Sequence, residues 1–372
     1  MKRIAVLLSV LFLAAAAVFA QDAPKLYPET NSEPEYVYTD ASVFPLYGKV
    51  TTDTYDRYGR LPGCLEGKIR EGLWNLGRNS AGLYIRFRTD SKSIRVKWES
   101  LNNFGMNHMT AAGVRGLDLY ALDGGKWRSV SGLQPRSRQE SDVRAVRNMD
   151  GKMREYMLYL SLYDGVKSLS IGTEKGAVIE GPAVDSPKSG KPIVMYGTSI
   201  LQGGCATRPG MAFTAIIGRW LDREVVNLGF SGNGRLDYEI AELMAAVPDP
   251  AVFVLDNVPN CTKVQIEERE EKFIEILRKS HPKVPIIFVE NPDFTDLWLD
   301  NKSREEIKAK NDAHRAVYEK LRKAGDKNLY YVPSKGLIGD DGEGTVDGTH
   351  FTDLGMLRYA ETVAPVIKKA MR

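Results

Sequence analysis

The spacing of apolar residues along the chain changes at about residue 186. Beyond that point, short apolar runs alternate with segments that have the 3.6-residue period of amphipathic helices. The runs predict strands at 193–196, 225–228, 252–255, 286–289 and 329–332, and the intervening segments predict helices near 211–222, 236–246, 263–280, 303–324 and 353–371. Strands separated by crossover helices predict a parallel, doubly wound α/β sheet.

Before residue 186 the period is two, which is typical of half-buried strands. Apolar residues alternate with polar ones over 83–88 and again over 94–98, on either side of the turn-like segment 89–93. We interpret this stretch as a hairpin with one buried face and one basic, solvent-facing face. Further strands are predicted at 117–122, 156–162 and 166–172. Many short strands without intervening helices predict a β-sandwich of the jelly-roll sort.

The two patterns give a domain division. Residues 1–20 have the charged start, apolar run and small-residue end of a cleavable signal peptide, for which a retained membrane anchor is the alternative. Gln21, and not a cysteine, follows the expected cleavage site, so a lipoprotein anchor is not indicated. Residues 21–45 are rich in polar residues and proline and predict a linker or arm. The sandwich then spans 46–185 and the α/β domain spans 186–372.

Composition narrows the class of protein further. The net charge is +3, of which Lys2 and Arg3 belong to the leader, and no run of like charges indicates a surface for nucleic acid or membrane. No apolar stretch after the leader is long enough to span a bilayer. The three cysteines cannot form a disulfide scaffold, and the four histidines lack metal-ligand spacing. We therefore expect neither a metal nor a cofactor.

Ligands of such sheets bind at the carboxyl ends of the strands, so the loops after the strands are the informative ones. Ser199 follows the first strand on a tight turn, where its own amide can face an oxyanion, although a helix N-cap is the simpler alternative. The loop after the second strand, 227–234, is glycine-rich, which allows close approach of a ligand but is also typical of flexible loops. Asn260 follows the third strand and is either an oxyanion donor or a cap.

The last loop carries Asp347 three residues before His350. At this spacing the carboxylate can reach the imidazole across one turn, fix its tautomer and stabilise the imidazolium. A surface Asp and His without a function are the alternative for this loop taken singly. The coincidence of all four loops at one edge of one sheet favours a catalytic site.

Four segments now resemble the blocks of SGNH (GDSL-like) hydrolases: GTSI at 197–200, NLGFSGNG at 227–234, PN at 259–260 and DGTH at 347–350. The resemblance implies a flavodoxin-like hydrolase domain with Ser199 as nucleophile, His350 as general base and Asp347 as its orienting acid. It also implies that Gly232 and Asn260 join the Ser199 amide as oxyanion donors. The usual Asp before the nucleophile is Thr198 here, and the usual Asp after the Asn is Cys261.

A subgroup of this family is similar in two further segments, TRPG at 207–210 and GLDLY at 116–120. The resemblance therefore covers nearly the whole chain after the arm. Two further residues are candidates for substrate binding. Arg208 offers a forked guanidinium that could bind a polar or anionic group of the substrate, and a structural ion pair is the alternative. His108 lies in a loop of the sandwich and could reach the active site from there. His281 and His314 are expected to face solvent.

We expect an exported serine esterase, secreted or periplasmic, that cleaves short-chain esters, chiefly acetyl groups on carbohydrate, through an acyl-enzyme. The expected partner is thus a small-molecule or glycan ester. A catalytically silent carbohydrate-binding protein is one alternative. A lipase or lysophospholipase-type esterase is another, although no amphipathic lid segment is found.

Overall fold

A computed structural model describes residues 33–137 and 139–372 of the chain, so the predicted signal peptide lies outside the described residues. Residues 36–372 form one unit. Its strands are β1 (Tyr36–Asp40), β2 (Leu46–Tyr47), β3 (Tyr84–Thr89), β4 (Ile94–Ser100), β5 (Leu117–Asp123), β6 (Lys126–Leu133), β7 (Glu140–Val146), β8 (Arg154–Tyr159), β9 (Val166–Glu174), β10 (Ile179–Glu180), β11 (Lys188–Gly197), β12 (Arg223–Gly229), β13 (Val252–Asp256), β14 (Ile286–Val289) and β15 (Leu329–Val332).

Helices are few in the first half of the chain and regular in the second. They are α1 (Glu71–Gly77), α2 (Ala111–Arg115), α3 (Ser199–Gln202), α4 (Phe213–Leu221), α5 (Tyr238–Ala245), α6 (Lys263–Ser280), α7 (Asn301–Lys323) and α8 (Asp353–Ala370). Short 3-10 helices occur at Ala41–Val43, Gly63–Leu65, Pro209–Met211 and Val258–Asn260. No helix of the described residues is long and apolar enough to cross a membrane.

The first half of the unit is the predicted antiparallel sandwich. One sheet has the strand order β1-β9-β4-β7, and the other has β10-β3-β8-β5-β6 with β2 added beside β3. Their facing apolar side chains form one core, in which Phe87 of one sheet and Trp98 of the other are both fully buried. Strand β1 belongs to this sandwich, so Tyr36–Asp40 is not part of a free arm.

The predicted hairpin of β3 and β4 is wrong. β3 pairs with β8 and β4 pairs with β9 and β7, so the two strands lie in opposite sheets. The segment 90–93 is thus a connection between layers. Local alternation identifies a strand, but it contains no information about which distant strand completes the ladder.

The outer face of β3 is also not the solvent-facing surface that its polar residues predicted. Tyr84 is 3% exposed and packs with Tyr120 and Tyr159 against Ala215 of helix α4. Arg86 on the same face is buried in an ion pair with Glu155, at 2.9 Å. The sandwich therefore buries one sheet's outer face against the α/β part of the chain.

The second half is the predicted parallel α/β sheet, with strand order β12-β11-β13-β14-β15. This order is that of the flavodoxin-like doubly wound fold, and it places the switch point beside β11. Helix α6 begins with a capping box in which Thr262 and Gln265 satisfy each other's backbone amides. Four of the five strands were predicted to within two residues, because fully buried parallel strands are continuous apolar runs, whereas β11 begins five residues earlier than predicted.

Both faces of the parallel sheet are covered partly by residues from the first half of the chain. On one face, Leu73 and Trp74 of α1 join a core with Val226 and Leu228 of β12. On the other face, Met109 and Leu162 join a core with the α/β domain. Removal of residues before 186 would therefore expose apolar surface on both faces.

The prediction that His314 faces solvent is wrong. Its ring is fully buried between α7 and α6, where Nδ1 lies 2.8 Å from the carboxylate of Glu270. The charged pattern of α7 concealed this, because the histidine lies on the narrow face of the helix that packs inward. His281 is half-buried at the end of α6.

Candidate active site

Ser199 is the first residue of a four-residue helix that begins directly after β11. Thr198 caps this helix through its hydroxyl, so the position before Ser199 is the N-cap and Ser199 itself is free for other contacts. The N–H groups at the start of a helix lack acceptors within that helix. The turn therefore presents a hydroxyl at the carboxyl edge of the sheet, together with an amide that has no hydrogen-bond acceptor among the described residues.

Three of the predicted site residues form a continuous chain of hydrogen bonds. The Ser199 Oγ lies 2.9 Å from Nε2 of His350, and Nδ1 of His350 lies 2.7 Å from Oδ2 of Asp347. The other carboxylate oxygen accepts the backbone N–H of His350 at 2.7 Å. The short turn from Asp347 to His350 thus satisfies both carboxylate oxygens and holds the imidazole in one orientation.

The hydrogen bonds to Asp347 favour the ionised form of its carboxylate. Partial burial would raise the pKa of Asp347, but hydrogen bonds from the His350 ring and from the backbone amides of His350 and Thr349 outweigh it. The pKa consequently lies below the ordinary value for aspartate. An anion at this position stabilises the imidazolium that forms when His350 takes a proton.

A glycine is required beside the imidazole. A Cβ on Gly204 would lie 2.9 Å from Cδ2 of His350 and 2.9 Å from the hydroxyl of Tyr163. Gly203, one residue earlier, has a φ of 108°, which L side chains rarely adopt. The two glycines after GTSI therefore let the chain turn back beside the ring of His350.

The predicted oxyanion donors come from the loops after β12 and β13. Gly232 has a φ of 66° on an exposed turn, a conformation that favours glycine. Asn260 ends a 3-10 helix, and its Oδ1 accepts the N–H of Gly234 at 3.2 Å. This bond fixes the side-chain amide so that its NH₂ group is available to a ligand.

Three residues that local sequence patterns did not single out support these loops. Tyr163, from the turn after β8, donates to the carbonyl of Ser199 at 3.2 Å. Gln202 donates to Leu162 at 3.0 Å and accepts the N–H of Ser231 at 2.9 Å. The GTSI block, the sandwich and the glycine-rich loop are thereby linked through one buried amide.

Arg60 is the third of these residues and is almost fully buried. Its guanidinium donates to the carbonyls of Asn227 and Gly229 at the end of β12, at 3.1 and 2.7 Å. Burial lowers its pKa to about 9. An isolated arginine in a loop has no periodicity that would distinguish it from a surface residue, so the sequence offered no signal for it.

Arg208 is engaged by the sandwich. Its Nη1 lies 2.6 Å from the fully buried Asp118 and 2.7 Å from the hydroxyl of Tyr120. The N–H of Gly210 donates to the same carboxylate at 2.8 Å, and a Cβ there would lie 2.4 Å from the Tyr120 ring. This contact favours the ion-pair alternative for Arg208, and it joins the TRPG segment to the GLDLY segment.

His108 does lie beside Asp347 and His350. Its Nε2 is 3.8 Å from Oδ2 of Asp347, and its ring centroid is 5.7 Å from that of His350. On its other side, Nδ1 lies 2.9 Å from the side chain of Asn107. A loop of the sandwich thus places a second imidazole near the carboxylate of Asp347.

One set of three potential metal ligands occurs in the described part of the chain. Ligand atoms of His108, Cys205 and His350 lie within 4.8 Å of one another. Both ring nitrogens of His350 are engaged by Ser199 and Asp347, and burial raises the pKa of the Cys205 thiol to about 12. The set therefore fits a proton-transfer site better than a metal centre. All three cysteines of the chain are free thiols.

Comparison with known proteins identifies both halves of the chain. Residues 190–368 match the model of the GDSL-like lipase/acylhydrolase family. Residues 35–179 match the model of the N-terminus of SGNH-hydrolase-type esterases. No curated protein sequence matches the chain significantly.

Solved structures extend the similarity to the whole unit. A GDSL-like lipase from Bacteroides ovatus is 37% identical, with a TM-score of 0.85 over 90% of this chain and 98% of that one. A salicylyl-acyltransferase from a tetracycline biosynthetic pathway shares the fold at 20% identity, with a TM-score of 0.71 over 92% of this chain and 100% of that one. A family two carbohydrate esterase from Cellvibrio japonicus shares it at 12% identity, with a TM-score of 0.57 over 91% and 98%.

The fold and the family matches define an ester-cleaving hydrolase. The chain belongs to the GDSL-like lipase/acylhydrolase family, in the form that carries an SGNH-type esterase N-terminus.

Proposed function

We propose that this protein is an exported serine esterase that removes short acyl groups, chiefly acetyl, from carbohydrate. The observation that carries the proposal is the chain Ser199 Oγ–His350 Nε2 at 2.9 Å and His350 Nδ1–Asp347 Oδ2 at 2.7 Å. A hydroxyl, a base and an orienting carboxylate within these distances are the arrangement that two-step acyl transfer needs.

In the proposed mechanism, neutral His350 removes the proton of the Ser199 hydroxyl as its oxygen attacks the ester carbonyl. The negative oxygen of the tetrahedral intermediate is bound by the amides of Ser199 and Gly232 and by the side chain of Asn260. His350 then protonates the leaving alcohol, and an acyl-enzyme remains. Water, activated by His350, attacks the acyl group and regenerates the serine.

Carbohydrate as the leaving group is supported by the fold neighbours. They include family two carbohydrate esterases, one of them from Clostridium thermocellum in complex with cellohexaose. Those proteins are less than 25% identical to this chain, so they support the substrate class only by analogy. A catalytically silent carbohydrate-binding protein is disfavoured, because the hydrogen bonds among Ser199, His350 and Asp347 are intact. If the protein were a lipase, it would prefer long acyl chains.

Export is proposed from the leader at 1–20. Cleavage after Ala20 would leave Gln21 as the first residue of the mature chain. N-terminal sequencing of the protein recovered from the periplasm or medium of an expressing bacterium tests this directly. An uncleaved chain that stays with the membranes would contradict the proposal.

Hydrolysis of p-nitrophenyl esters from acetate to laurate tests the activity and the acyl preference together. We expect the highest kcat/KM for acetate, and a loss of about 10⁴-fold or more in Ser199→Ala. Ser168→Ala, on an exposed position of β9, is the matched control and is expected to keep wild-type rates. An optimum at eight carbons or longer would favour the lipase alternative.

A further inference from the structure

A cavity of about 510 Å³ is lined by residues that contact or adjoin two of the proposed catalytic loops. Two of its lining residues connect it with the site: Tyr163 donates to the carbonyl of Ser199, and Ser231 directly precedes Gly232. Binding sites for small molecules typically have volumes of about 300–1,000 Å³. The cavity is therefore much larger than an acetyl group requires.

Three side-chain amides line this cavity: Asn75, Asn79 and Asn102. Within residues 33–137 and 139–372, none of these side chains has a hydrogen-bond partner, although the backbones of all three are bonded. Asn75 and Asn102 are exposed, and the side-chain amide of the less exposed Asn79 is open to the cavity, where a ligand or water can satisfy it. The cavity thus offers donors and acceptors that the protein itself does not use.

Apolar groups lie beside these amides. Phe104 leaves 47% of its surface exposed, and Leu76 and Met106 are half-buried in the same lining. The cation in the lining, Arg78, is bound to Asp56 at 2.9 Å, so it adds little net charge. A complementary ligand is therefore neutral, has hydroxyl groups along its edge and has an apolar face that can stack on an aromatic ring.

The loop that carries Phe104 is held in place before any ligand arrives. The buried carboxylate of Asp164 accepts the backbone N–H groups of Asn102 and Phe104, each at 2.9 Å. The N–H of Leu101 donates to the carbonyl of Gly165 at 2.8 Å. A preformed wall lowers the entropic cost of binding a ligand.

We propose that this cavity is the subsite for the sugar ring that carries the ester, with Phe104 as its stacking platform and the three asparagines as hydroxyl ligands. A pyranose has both properties that the lining demands, since its ring hydrogens form an apolar face and its hydroxyls surround the edge. A long acyl chain would make no hydrogen bonds to these amides. This inference rests on the proposed function for the reaction, but the cavity residues are distinct from the triad.

Two exposed lining residues allow a test without damage to the core. Phe104→Ala and Asn102→Ala are compared with wild type on mono-O-acetylated disaccharides of glucose, xylose and mannose, and on p-nitrophenyl acetate. We expect the ratio of kcat/KM for the best acetylated disaccharide to that for the aryl acetate to fall about tenfold or more in each variant, mainly through KM. Trp220→Ala is the control, because that exposed tryptophan lies at the end of α4, at the amino edge of the sheet.

Three results would overturn the inference. One is an unchanged ratio in both variants, and another is a wild-type enzyme that hydrolyses aryl acetate but none of the acetylated disaccharides. The third is a selective loss of activity on hexanoate and octanoate esters, which would assign the cavity to the acyl chain.

A binding measurement separates this inference from the proposed reaction. Calorimetry with the free disaccharide is performed on Ser199→Ala, with and without Phe104→Ala. We expect binding that the second substitution weakens about tenfold or more. This binding result would remain valid even if the wild-type protein failed to react with a fluorophosphonate. Labelling by the fluorophosphonate without any sugar binding would contradict the inference and leave the proposed function intact.

Discussion

The buried guanidinium of Arg60 provides a sharp test of how the first half of the chain supports the site. It makes four hydrogen bonds to backbone carbonyls, at 2.7 Å to Leu76 and Gly229, 3.0 Å to Asn79 and 3.1 Å to Asn227. Its pKa of about 9, lowered by burial, leaves it a cation at neutral pH. No carboxylate pairs with it among the hydrogen bonds and ion pairs of the described residues.

Arg60→Met keeps the length of the side chain and removes every donor. It leaves several buried carbonyl groups without partners, and each such group costs about 1–3 kcal/mol. Water that enters the site recovers part of this cost, so we expect the free energy of unfolding to fall by about 3–5 kcal/mol. The guanidinium also lies over the ring of Phe230, 4.8 Å from its centroid, in the loop that leads to Gly232.

A shift of that loop would misplace Gly232, the proposed oxyanion donor. We therefore expect kcat on p-nitrophenyl acetate to fall about tenfold or more under conditions where the variant is still folded. Urea unfolding followed by fluorescence measures the stability, and initial rates measure the activity. Arg88→Met is the matched control, because its ion pair with Glu180 is exposed and worth about 0–1 kcal/mol. A loss below about 1 kcal/mol in Arg60→Met, with kcat unchanged, would refute the reasoning.

Three further predictions concern single residues. Asn260→Ala should lower kcat by about 10²–10³-fold with little change in KM, since its amide binds charge that develops in the transition state; a pure KM effect in steady-state kinetics would contradict this role. Arg208→Ala should destabilise the fold by about 3–5 kcal/mol by leaving Asp118 buried without its partner, and the added substitution Asp118→Asn should restore part of the loss in urea unfolding. Burial raises the pKa of Asp256 to about 8, against about 3.9 in an unfolded chain, so folding takes up a proton between these values. Wild-type stability should accordingly fall by up to about 1.4 kcal/mol per pH unit from pH 5 to 8 relative to Asp256→Asn, and parallel stability curves would contradict an Asp256 that is neutral at pH 7.

The α/β half of the fold was predictable because each of its elements has a local cause. Strands β13, β14 and β15 are short apolar runs, and helix α6 begins and ends where its capping box and the following proline indicate. The sandwich was predictable only as a class of fold. Which strand pairs with β3 is decided by contacts between residues that are 65 to 75 positions apart, such as Arg88 with Glu155 and Tyr84 with Tyr159, and by the helix that covers its outer face.

The residues of the candidate site also fall into those that the sequence predicts and those that it does not. Ser199, Asp347 and His350 were predictable because residues after parallel strands converge at one edge of the sheet. Three supporting residues could not be predicted: Tyr163, Gln202 and Arg60. Each acts through a tertiary contact, and no local sequence pattern accompanies that contact. Arg208 was a candidate for substrate binding from its sequence, but in the structure it forms an ion pair that joins two parts of the chain.

The most direct test of the central claim is covalent labelling of the folded, wild-type protein with a fluorophosphonate, followed by mass spectrometry of the peptides. A serine activated by His350 and Asp347 attacks such a reagent, whereas an ordinary buried hydroxyl does not. We expect a single phosphonylated residue, Ser199, with labelling that is lost in His350→Ala and parallels the loss of ester hydrolysis. A folded protein that hydrolyses aryl acetate while Ser199 stays unlabelled would contradict this claim.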